Sequence, residues 1–254
     1  MPEFAEVYVI TKDLQPLKGS KLLSIKNRSK FKLNSKLLIG SEVSAIANRG
    51  KYIIFTFDSG LYLTIHLGMT GKLLYQIDKK DSKHLKLTLK FKDQELFFCD
   101  PRGFGRVSIS PQPPATNFID PREKGYSANL KRRLLARNAP VFSLLLDQKI
   151  AFGVGSYLAQ ESLFRAGIAP TRTNLNEREV EVIDFNLRKV LKLALKLNGA
   201  TISDYRRLNG EKGRMQEQFK VYRRKDLPCL SCGRVIERIV IAGRGVYYCP
   251  GCQV

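Results

Sequence analysis

The second residue of the chain has the chemistry of a catalyst. Pro2 and Glu3 follow Met1, and removal of Met1 ahead of a small residue would leave the secondary amine of Pro2 as the N-terminus. A free secondary amine can attack a carbon at the aldehyde oxidation level to form an iminium, and a carboxyl group one residue away can move protons. Proline also suits the first turn of a helix. The pattern therefore leaves a catalytic and a structural interpretation open.

Near the other end of the chain, cysteines have the spacing of a metal site. Two Cys-x-x-Cys pairs are separated by sixteen intervening residues, a spacing typical of a four-thiolate zinc ribbon. The ligands are Cys229, Cys232, Cys249 and Cys252. Four thiolates leave no open position on the ion, so the zinc would be structural. Alternating residues between the pairs predict a β-hairpin with Arg244 at its tip, and Cys99 is interpreted as a small buried apolar residue.

The charge of the chain indicates a polyanionic partner. Its 254 residues include 44 Lys and Arg against 23 Asp and Glu, a formal net charge of +21 that is spread through both halves. Such an excess is more than solubility requires and fits duplex DNA or structured RNA better than a membrane. A ribosome-associated protein would carry a similar charge. The apolar runs are too short to span a bilayer and the N-terminus does not have the pattern of a signal peptide, so we expect a cytoplasmic protein, nucleoid-associated when bound to DNA.

The hydrophobic pattern predicts an α+β fold. Residues 4–14 have the pattern of an amphipathic helix, and period-two runs at 51–57, 61–67, 85–91 and 95–99 predict an antiparallel β-sandwich or barrel. Prolines at 111, 113 and 114 mark a boundary. Beyond it, helices are predicted at 125–137, 140–148, 156–166, 176–197 and 202–208, the last with a capping box of Thr201 and Asp204. The predicted domains are 1–112, 113–225 and 226–254.

A glycine-rich turn joins two of the predicted helices. Gly153-Val154-Gly155-Ser156 would point a helix N-terminus and several backbone N–H groups outward, which suits phosphate binding. An ordinary helix–helix turn would have the same composition.

Several dispersed segments of the chain resemble one known family. They occur in the same order over nearly the whole length: Met1-Pro2-Glu3 with Glu6-Val7, Arg49-Gly50-Lys51-Tyr52, His66-Leu67-Gly68-Met69-Thr70-Gly71, Asp100-Pro101-Arg102-Gly103-Phe104-Gly105, Leu146-Asp147-Gln148-Lys149, Gly153-Val154-Gly155 through Glu161-Ser162-Leu163-Phe164, and the zinc ribbon with Arg244. The chain is similar to the formamidopyrimidine-DNA glycosylase / endonuclease VIII family of bifunctional base-excision repair enzymes. The resemblance implies a helix-led N-terminal β-sandwich, a helix-two-turn-helix domain and a C-terminal zinc finger.

The resemblance implies roles for four catalytic residues. Pro2 would attack C1′ of the damaged nucleotide and form an iminium, which leads to β- and often δ-elimination. Glu3 would pass a proton to the sugar ring oxygen. Lys51, expected on the first strand of a hairpin, would contact phosphate and assist proton transfer, and Arg244 would clamp phosphates around the lesion.

The resemblance also implies a set of DNA contacts. Met69, Arg102 and Phe104 match the wedge that fills the gap left by a base removed from the stack. His84, which the pattern places in a strand, matches a DNA-contacting histidine, and Ser156 stands where the family has an asparagine that binds phosphate. Residues 213–218 lie where the 8-oxoguanine enzymes carry a loop over the flipped base.

Some positions depart from the family pattern. Ser156 replaces that asparagine, so the phosphate contact is either weaker or supplied by Lys149 or Tyr157. Ala5 stands in place of a proline and Gly103 in place of a second arginine, and residues 116–126 differ from the usual pattern. These departures remove no implied catalytic group, but they affect what is expected of lesion preference and catalytic rate.

We therefore expect a DNA glycosylase with AP lyase activity on oxidised purines. We also expect a monomer, since the wedge and the helical turn can clamp one duplex without two-fold symmetry. The alternatives are an endonuclease VIII specificity for oxidised pyrimidines, a non-catalytic DNA- or RNA-binding homologue, and a zinc-ribbon ribosomal or transcription protein. The last alternative explains the charge and the cysteines but not the N-terminal pattern.

Overall fold

The computed structural model describes residues 1–114 and 119–254 and confirms the predicted α+β fold class. The elements are α1 (Phe4–Asp13), β1 (Leu22–Asn27), β2 (Val43–Arg49), β3 (Tyr52–Phe57), β4 (Tyr62–His66), β5 (Lys72–Leu74), α2 (Lys79–Ser82), β6 (Leu85–Phe91), β7 (Glu95–Cys99), β8 (Arg106–Ser110), α3 (Tyr126–Leu135), α4 (Val141–Leu146), α5 (Ser156–Ala166), α6 (Glu177–Lys196), β9 (Glu237–Ile241) and β10 (Arg244–Tyr248). Short 3₁₀ helices lie at Gln15–Leu17, Ser35–Leu37 and Met215–Gln218.

The chain folds into two compact units that do not follow simple chain order. Unit 1 comprises Met1–Thr116 and Leu197–Arg214, and unit 2 comprises Asn117–Lys196 and Met215–Val254. The predicted domain boundaries at 112 and 225 stay a prediction. The segment 116–126, which departs from the family pattern, lies partly outside the described residues. None of the helices in the described ranges is long and apolar enough to cross a membrane.

Unit 1 is a sandwich of two antiparallel sheets, as the alternating pattern predicts. One sheet has the strand order β2-β3-β4-β8 and the other has the order β1-β6-β7-β5. Period-two alternation directs Phe55 and Leu63 from the first sheet and Leu89 and Phe98 from the second into one buried cluster. Removing this apolar surface from water stabilises the sandwich and fixes the ends of the strands that carry the loops.

Helix α1 closes part of the sandwich core and positions the N-terminus. It begins at Phe4, with Glu3 as its N-cap, and Ile10 and Leu14 bury their side chains in the core of unit 1. Pro2 therefore precedes the N-cap, whereas the pattern suggests a proline in the first turn. The helix packs against strands β2 and β3 and is buried from its first residue, Phe4, so packing along its length holds the N-terminal residues in place.

The predicted helix over 202–208 is wrong. This segment of unit 1 is irregular, and the Thr201 hydroxyl donates to the Tyr205 carbonyl instead of capping a helix (3.0 Å). Tyr205 and Leu208 are buried in the sandwich core, and the Leu208 carbonyl accepts from the Tyr75 backbone N–H (2.9 Å). A helix this short is marginal by itself, so these tertiary contacts determine its conformation.

Unit 2 is helical and ends in the predicted β-hairpin. Helix α5 is buried from Tyr157 to Phe164 and packs against α4, α6 and β10. The buried Glu161 carboxylate accepts hydrogen bonds from the backbone N–H groups of residues 220–222 (2.9 to 3.0 Å) and from Arg165 (2.7 Å). These bonds attach the segment before the hairpin to α5.

The hairpin of β9 and β10 has a two-residue turn of Ala242 and Gly243. Both residues have positive φ values, 48° and 73°, as a type I′ turn requires. Arg244 is the first residue of β10, paired with Ile241. It therefore lies beside the turn and not at its tip, where the sequence pattern places it.

Candidate functional site

The N-terminal residues of unit 1 are held by a buried carboxylate. Pro2 and Glu3 are both buried. The Glu6 side chain, one helical turn away, accepts from the Glu3 backbone N–H through Oε2 (2.7 Å) and from the Ala200 backbone N–H through Oε1 (2.7 Å). Ionised acceptors make the stronger hydrogen bonds. Glu6 thus joins the turn that carries Pro2 to the segment 197–214.

The segment 197–214, which contacts Glu6, favours glycine at position 199. Gly199 has φ +78°, and a Cβ built on it would lie 2.8 Å from Glu6 Oε1 and 2.9 Å from Glu6 Cγ. Both the left-handed backbone and the close approach disfavour a side chain there, since Glu6 would have to move. The backbone at Gly199 is thereby able to pack directly against the carboxylate.

Lys51 lies in the turn between β2 and β3, not on the strand as the sequence predicts. The last pair of this hairpin is Arg49 with Tyr52, so Gly50 and Lys51 form the turn. The lysine side chain is buried. Burial of a cation usually reflects a fixed set of partners, which gives the ammonium a defined position at the end of the sheet.

The sheet register places His66 beside this lysine. His66 pairs with Tyr52 across β3 and β4 and with Arg106 across β4 and β8, and its ring lies 5.0 Å from the Tyr52 ring. Burial, then the positive charges of Lys51 and Arg106, lower the pKa of His66 to about 4. Its Nδ1 accepts the Gly68 N–H (3.1 Å), so the neutral ring carries its hydrogen on Nε2 and can donate there.

The three residues of the proposed wedge lie on two neighbouring loops of unit 1. Met69 follows β4 and is 41% exposed, and Phe104 precedes β8 and is 52% exposed. Arg102 is exposed and its guanidinium lies 4.9 Å from the centre of the Phe104 ring. Large apolar side chains that remain exposed beside a cation are available to a partner. Without the family resemblance, Met69 and Phe104 would both be expected in the core.

A buried network ties these two loops together. Asp100 accepts from the Thr70 hydroxyl (2.6 Å) and from the Gly105 N–H (2.7 Å), and the Thr70 oxygen accepts from the Arg102 N–H (3.2 Å). Gly68 also lies directly against the Phe104 backbone, since a Cβ there would approach it to 2.5 Å. Thr70 and Asp100 therefore fix Met69 relative to Arg102 and Phe104.

His84 is attached to the same network. It lies in the turn before β6, not in the strand, and its carbonyl accepts from the Asp100 backbone N–H (2.9 Å). The partly exposed side chain lines a cavity of about 680 Å³ together with Lys80 and Arg206. The structure thus brings His84 and the wedge loops together at one end of the sandwich.

In unit 2, the glycine-rich turn leads into α5 as predicted. Gln148 holds this turn closed: its amide nitrogen donates to the carbonyls of Leu146 (3.0 Å) and Val154 (2.9 Å), and its oxygen accepts from the Gly153 N–H (3.1 Å). Gly153 has φ +85°, a conformation that favours glycine. Ser156 is the first residue of α5 and is partly exposed.

Arg244 is exposed on the hairpin, and the hairpin is packed against α5. Tyr222 joins the two elements because its ring contacts Tyr157 of α5 at 6.4 Å and Tyr247 of β10 at 5.8 Å, both edge to face. Such aromatic pairs stabilise beyond the area that they bury. Arg244 is therefore carried on a hairpin with a fixed position relative to Ser156.

The four predicted cysteines form one cluster. Their Sγ atoms all lie within 4.8 Å of one another, with 3.8 Å between Cys229 and Cys252 and 3.4 Å between Cys232 and Cys249. Zn–S bonds of about 2.3 Å in a tetrahedron give sulfur–sulfur edges of about 3.8 Å. The cluster therefore fits one structural zinc ion. Cys99 is buried at the end of β7, as predicted.

Sequence reasoning did not assign functional roles to Glu6, His66, Thr70 and Asp100. A signal for Glu6 was available, because a carboxylate three residues after an N-cap is half of a capping box. The other three depend on sheet register and on contacts between loops far apart in sequence, which no local pattern reveals.

Comparison with known proteins identifies three successive regions. Residues 1–107 match the model of the formamidopyrimidine-DNA glycosylase N-terminal domain, 119–206 that of the formamidopyrimidine-DNA glycosylase H2TH domain, and 226–254 that of a zinc finger found in FPG and IleRS.

Individual relatives give the same result. The chain is 37% identical to a formamidopyrimidine-DNA glycosylase of Thermus thermophilus, over 100% of this chain and 98% of the relative. The crystal structure of MutM (Fpg) from Thermus thermophilus superposes with a TM-score of 0.91 at 35% identity, over 99% and 98% of the two chains. A Lactococcus lactis Fpg mutant in complex with Fapy-dG containing DNA superposes with a TM-score of 0.89 at 29% identity, over 99% of both.

Proposed function

Because the chain belongs to the formamidopyrimidine-DNA glycosylase family, we propose that this DNA glycosylase removes oxidised purines, such as 8-oxoguanine and formamidopyrimidines, from duplex DNA and then cleaves the strand as an AP lyase. The observation that carries the proposal is the Pro2-Glu3 pair immediately before α1, where the Glu6 carboxylate accepts from the Glu3 backbone N–H.

The first chemical step forms a bond between Pro2 and the damaged nucleotide. With Met1 removed, the lone pair of the Pro2 nitrogen attacks C1′, and the bond from C1′ to the base breaks with its electron pair leaving on the base. Glu3 takes up the proton that the Pro2 nitrogen releases and passes it to the sugar ring oxygen as the C1′–O4′ bond opens, which leaves an iminium between Pro2 and C1′, while the expelled base takes a proton from water.

Strand cleavage follows from the iminium. The cation acidifies the hydrogens on C2′, so a base removes one of them and the C3′–O bond breaks with the 3′-phosphate as leaving group. A second elimination at C4′ expels the 5′-phosphate. Water then hydrolyses the iminium, which regenerates the Pro2 amine and releases the sugar fragment.

The wedge loops supply access to C1′. A base in the stack hides this carbon, so the nucleotide must rotate out of the duplex and something must fill the gap. Met69 fills the void, Arg102 holds the orphaned base and Phe104 parts the neighbouring step. The Thr70–Asp100 network supports this role because it fixes the two loops without engaging the tips of Met69 and Phe104.

Cations and hydrogen-bond donors on both units bind the DNA backbone. Lys51, His66 and His84 serve in unit 1, and Ser156 and Arg244 serve in unit 2. The net charge of +21 supports strong phosphate binding with a marked dependence on salt. The enzyme acts as a monomer, since one chain supplies the nucleophile, the wedge and the phosphate contacts.

The test is covalent trapping with borohydride. Zinc-loaded protein with Met1 removed is incubated with duplexes carrying 8-oxoguanine, thymine glycol or an abasic site, and reduction converts the iminium to a stable protein–DNA bond. We expect trapping with 8-oxoguanine and with the abasic site. Pro2→Gly weakens trapping, and an additional N-terminal residue abolishes it because the amine is then displaced.

The substrate panel separates the alternatives. Trapping with thymine glycol but not with 8-oxoguanine would replace the purine assignment by the endonuclease VIII specificity. Binding of all three duplexes with no trapped product would indicate a non-catalytic DNA-binding homologue. Absence of DNA binding would refute the proposal as a whole.

A further inference from the structure

Gln160 in helix α5 connects two elements that carry proposed DNA contacts. It lies one turn after Ser156, its side chain is 1% exposed, and its amide nitrogen is 2.8 Å from the Ser156 hydroxyl. On its other side, the Gln160 oxygen is 2.7 Å from the backbone nitrogen of Tyr247 in β10. A buried side-chain amide with both ends engaged has one orientation.

The Tyr247 bond determines which way this amide faces. A backbone N–H can only donate, so the Gln160 atom that meets it must be the acceptor Oε1. The atom that meets Ser156 is then the NH₂ group, which can only donate. The Ser156 oxygen is therefore the acceptor in that bond, and its single hydrogen is not consumed by Gln160.

We propose that Gln160 is a positioning residue that orients the Ser156 hydroxyl so that its hydrogen is presented to a DNA backbone phosphate. This inference rests on the proposed function. The inference explains how Ser156, whose side chain is shorter than that of asparagine and has one donor, can contact a phosphate at the start of α5. The Ser156 hydrogen remains available to the phosphate because the Ser156 oxygen already accepts from the buried Gln160 amide. The orientation of that amide is fixed by its bond to Tyr247 of the hairpin.

The test is a double-mutant cycle between Ser156→Ala and Gln160→Glu. A carboxylate at 160 still accepts from the Tyr247 N–H, but it can no longer donate to Ser156, whose hydrogen then turns inward toward it. Binding is measured to a duplex with a tetrahydrofuran abasic analogue, which is not cleaved. Circular dichroism and zinc content verify folding of each variant.

We expect Ser156→Ala to weaken binding about tenfold, as loss of a hydrogen bond to a charged group does. Gln160→Glu alone should weaken binding by at least as much. In the Ser156→Ala background the same change should have a much smaller effect, because no hydroxyl remains to reorient.

The salt dependence of DNA binding distinguishes reorientation of the Ser156 hydroxyl from displacement of the hairpin that carries Arg244. Ser156 is uncharged, so its loss changes the dissociation constant without changing the slope of log Kd against log salt. Displacement of Arg244 would instead lower the magnitude of that slope by about 0.9. Gln160→Met removes both hydrogen bonds at nearly equal size without adding a charge, so the salt slope is measured on this variant, and it should couple to Ser156→Ala with the same sign.

The outcomes are separable from those of the proposed function. Wild-type protein that does not bind the duplex overturns the proposed function and this inference together. Wild-type binding with equal effects of the Gln160 change in both backgrounds, or with a reduced salt slope for the uncharged Gln160→Met variant, overturns the inference alone.

Discussion

Replacing Gly199 by alanine tests whether the Glu6 carboxylate holds the proposed nucleophile, Pro2, in place. Gly199 has φ +78°, and an added Cβ would lie 2.8 Å from Glu6 Oε1. Gly60, in the turn between β3 and β4, has φ +76° and nothing within 4 Å of the same added atom. Gly60→Ala is therefore a matched control with the same backbone strain and no contact with Glu6.

The structure gives a difference in stability between these two variants. Alanine in the left-handed region costs about 1–2 kcal/mol at either position. At Gly199 the Glu6 side chain must also move, and it accepts hydrogen bonds from Glu3 and Ala200 at 2.7 Å each. Losing one such bond to a charged group costs about 1.5–3 kcal/mol. We expect Gly199→Ala to be less stable than Gly60→Ala by that amount.

The two assays are urea unfolding, followed by circular dichroism, and the rate of borohydride trapping with abasic-site DNA. Gly199→Ala should slow trapping by about tenfold or more, because small displacements of a reacting group are costly, while Gly60→Ala should leave the rate unchanged. Glu6→Gln, which retains the shape but not the charge, should fall between them. Equal destabilisation by the two alanines with unaltered trapping would refute the role assigned to Glu6.

Three further predictions concern other parts of the structure. Because the unfolded histidine binds a proton near pH 6.5 and folded His66 only near pH 4, stability falls as the pH is lowered from 6.5 to 4; wild-type protein should lose about 2 kcal/mol more than His66→Gln between pH 7 and pH 5. Parallel pH curves for the free energy of unfolding would contradict the lowered pKa. Cys249→Ala should lose the zinc ion and DNA binding, whereas Cys99→Ala should retain stoichiometric zinc by atomic absorption; zinc retained by the first variant would refute the four-cysteine assignment. Glu161→Gln should lower the free energy of unfolding by about 2–3 kcal/mol because buried backbone donors lose their charged acceptor, whereas Glu181→Gln on the exposed surface should not; similar midpoints for both would show that Glu161 is not required.

The candidate site was partly predictable because some of its chemistry is local in sequence. The spacing of Cys229, Cys232, Cys249 and Cys252 is sufficient to predict the zinc site, since ligand type and loop length are set along the chain. Pro2 and Glu3 are adjacent, so their joint chemistry is visible without a fold. The order of the matching segments, through resemblance, then located Met69, Arg102 and Phe104.

Helices and strands with long periodic patterns were also predictable, but the segment 202–208 was not. Its residues favour a helical turn locally, yet Tyr205 and Leu208 are drawn into the core of unit 1 and Thr201 bonds elsewhere. The free energy from burial exceeds the small preference of a seven-residue helix. A sequence pattern does not include that competition.

The sequence by itself determined that this is a basic α+β chain with adjacent Pro2 and Glu3 near its N-terminus and four thiolates for zinc. The tertiary structure alone decided the partners that hold these groups. Glu6 meets Ala200 and Asp100 meets Thr70 because helix ends, sheet register and loop packing bring distant residues to within hydrogen-bond distance. Such contacts are set by the packing of whole elements, and no local pattern of residues specifies them.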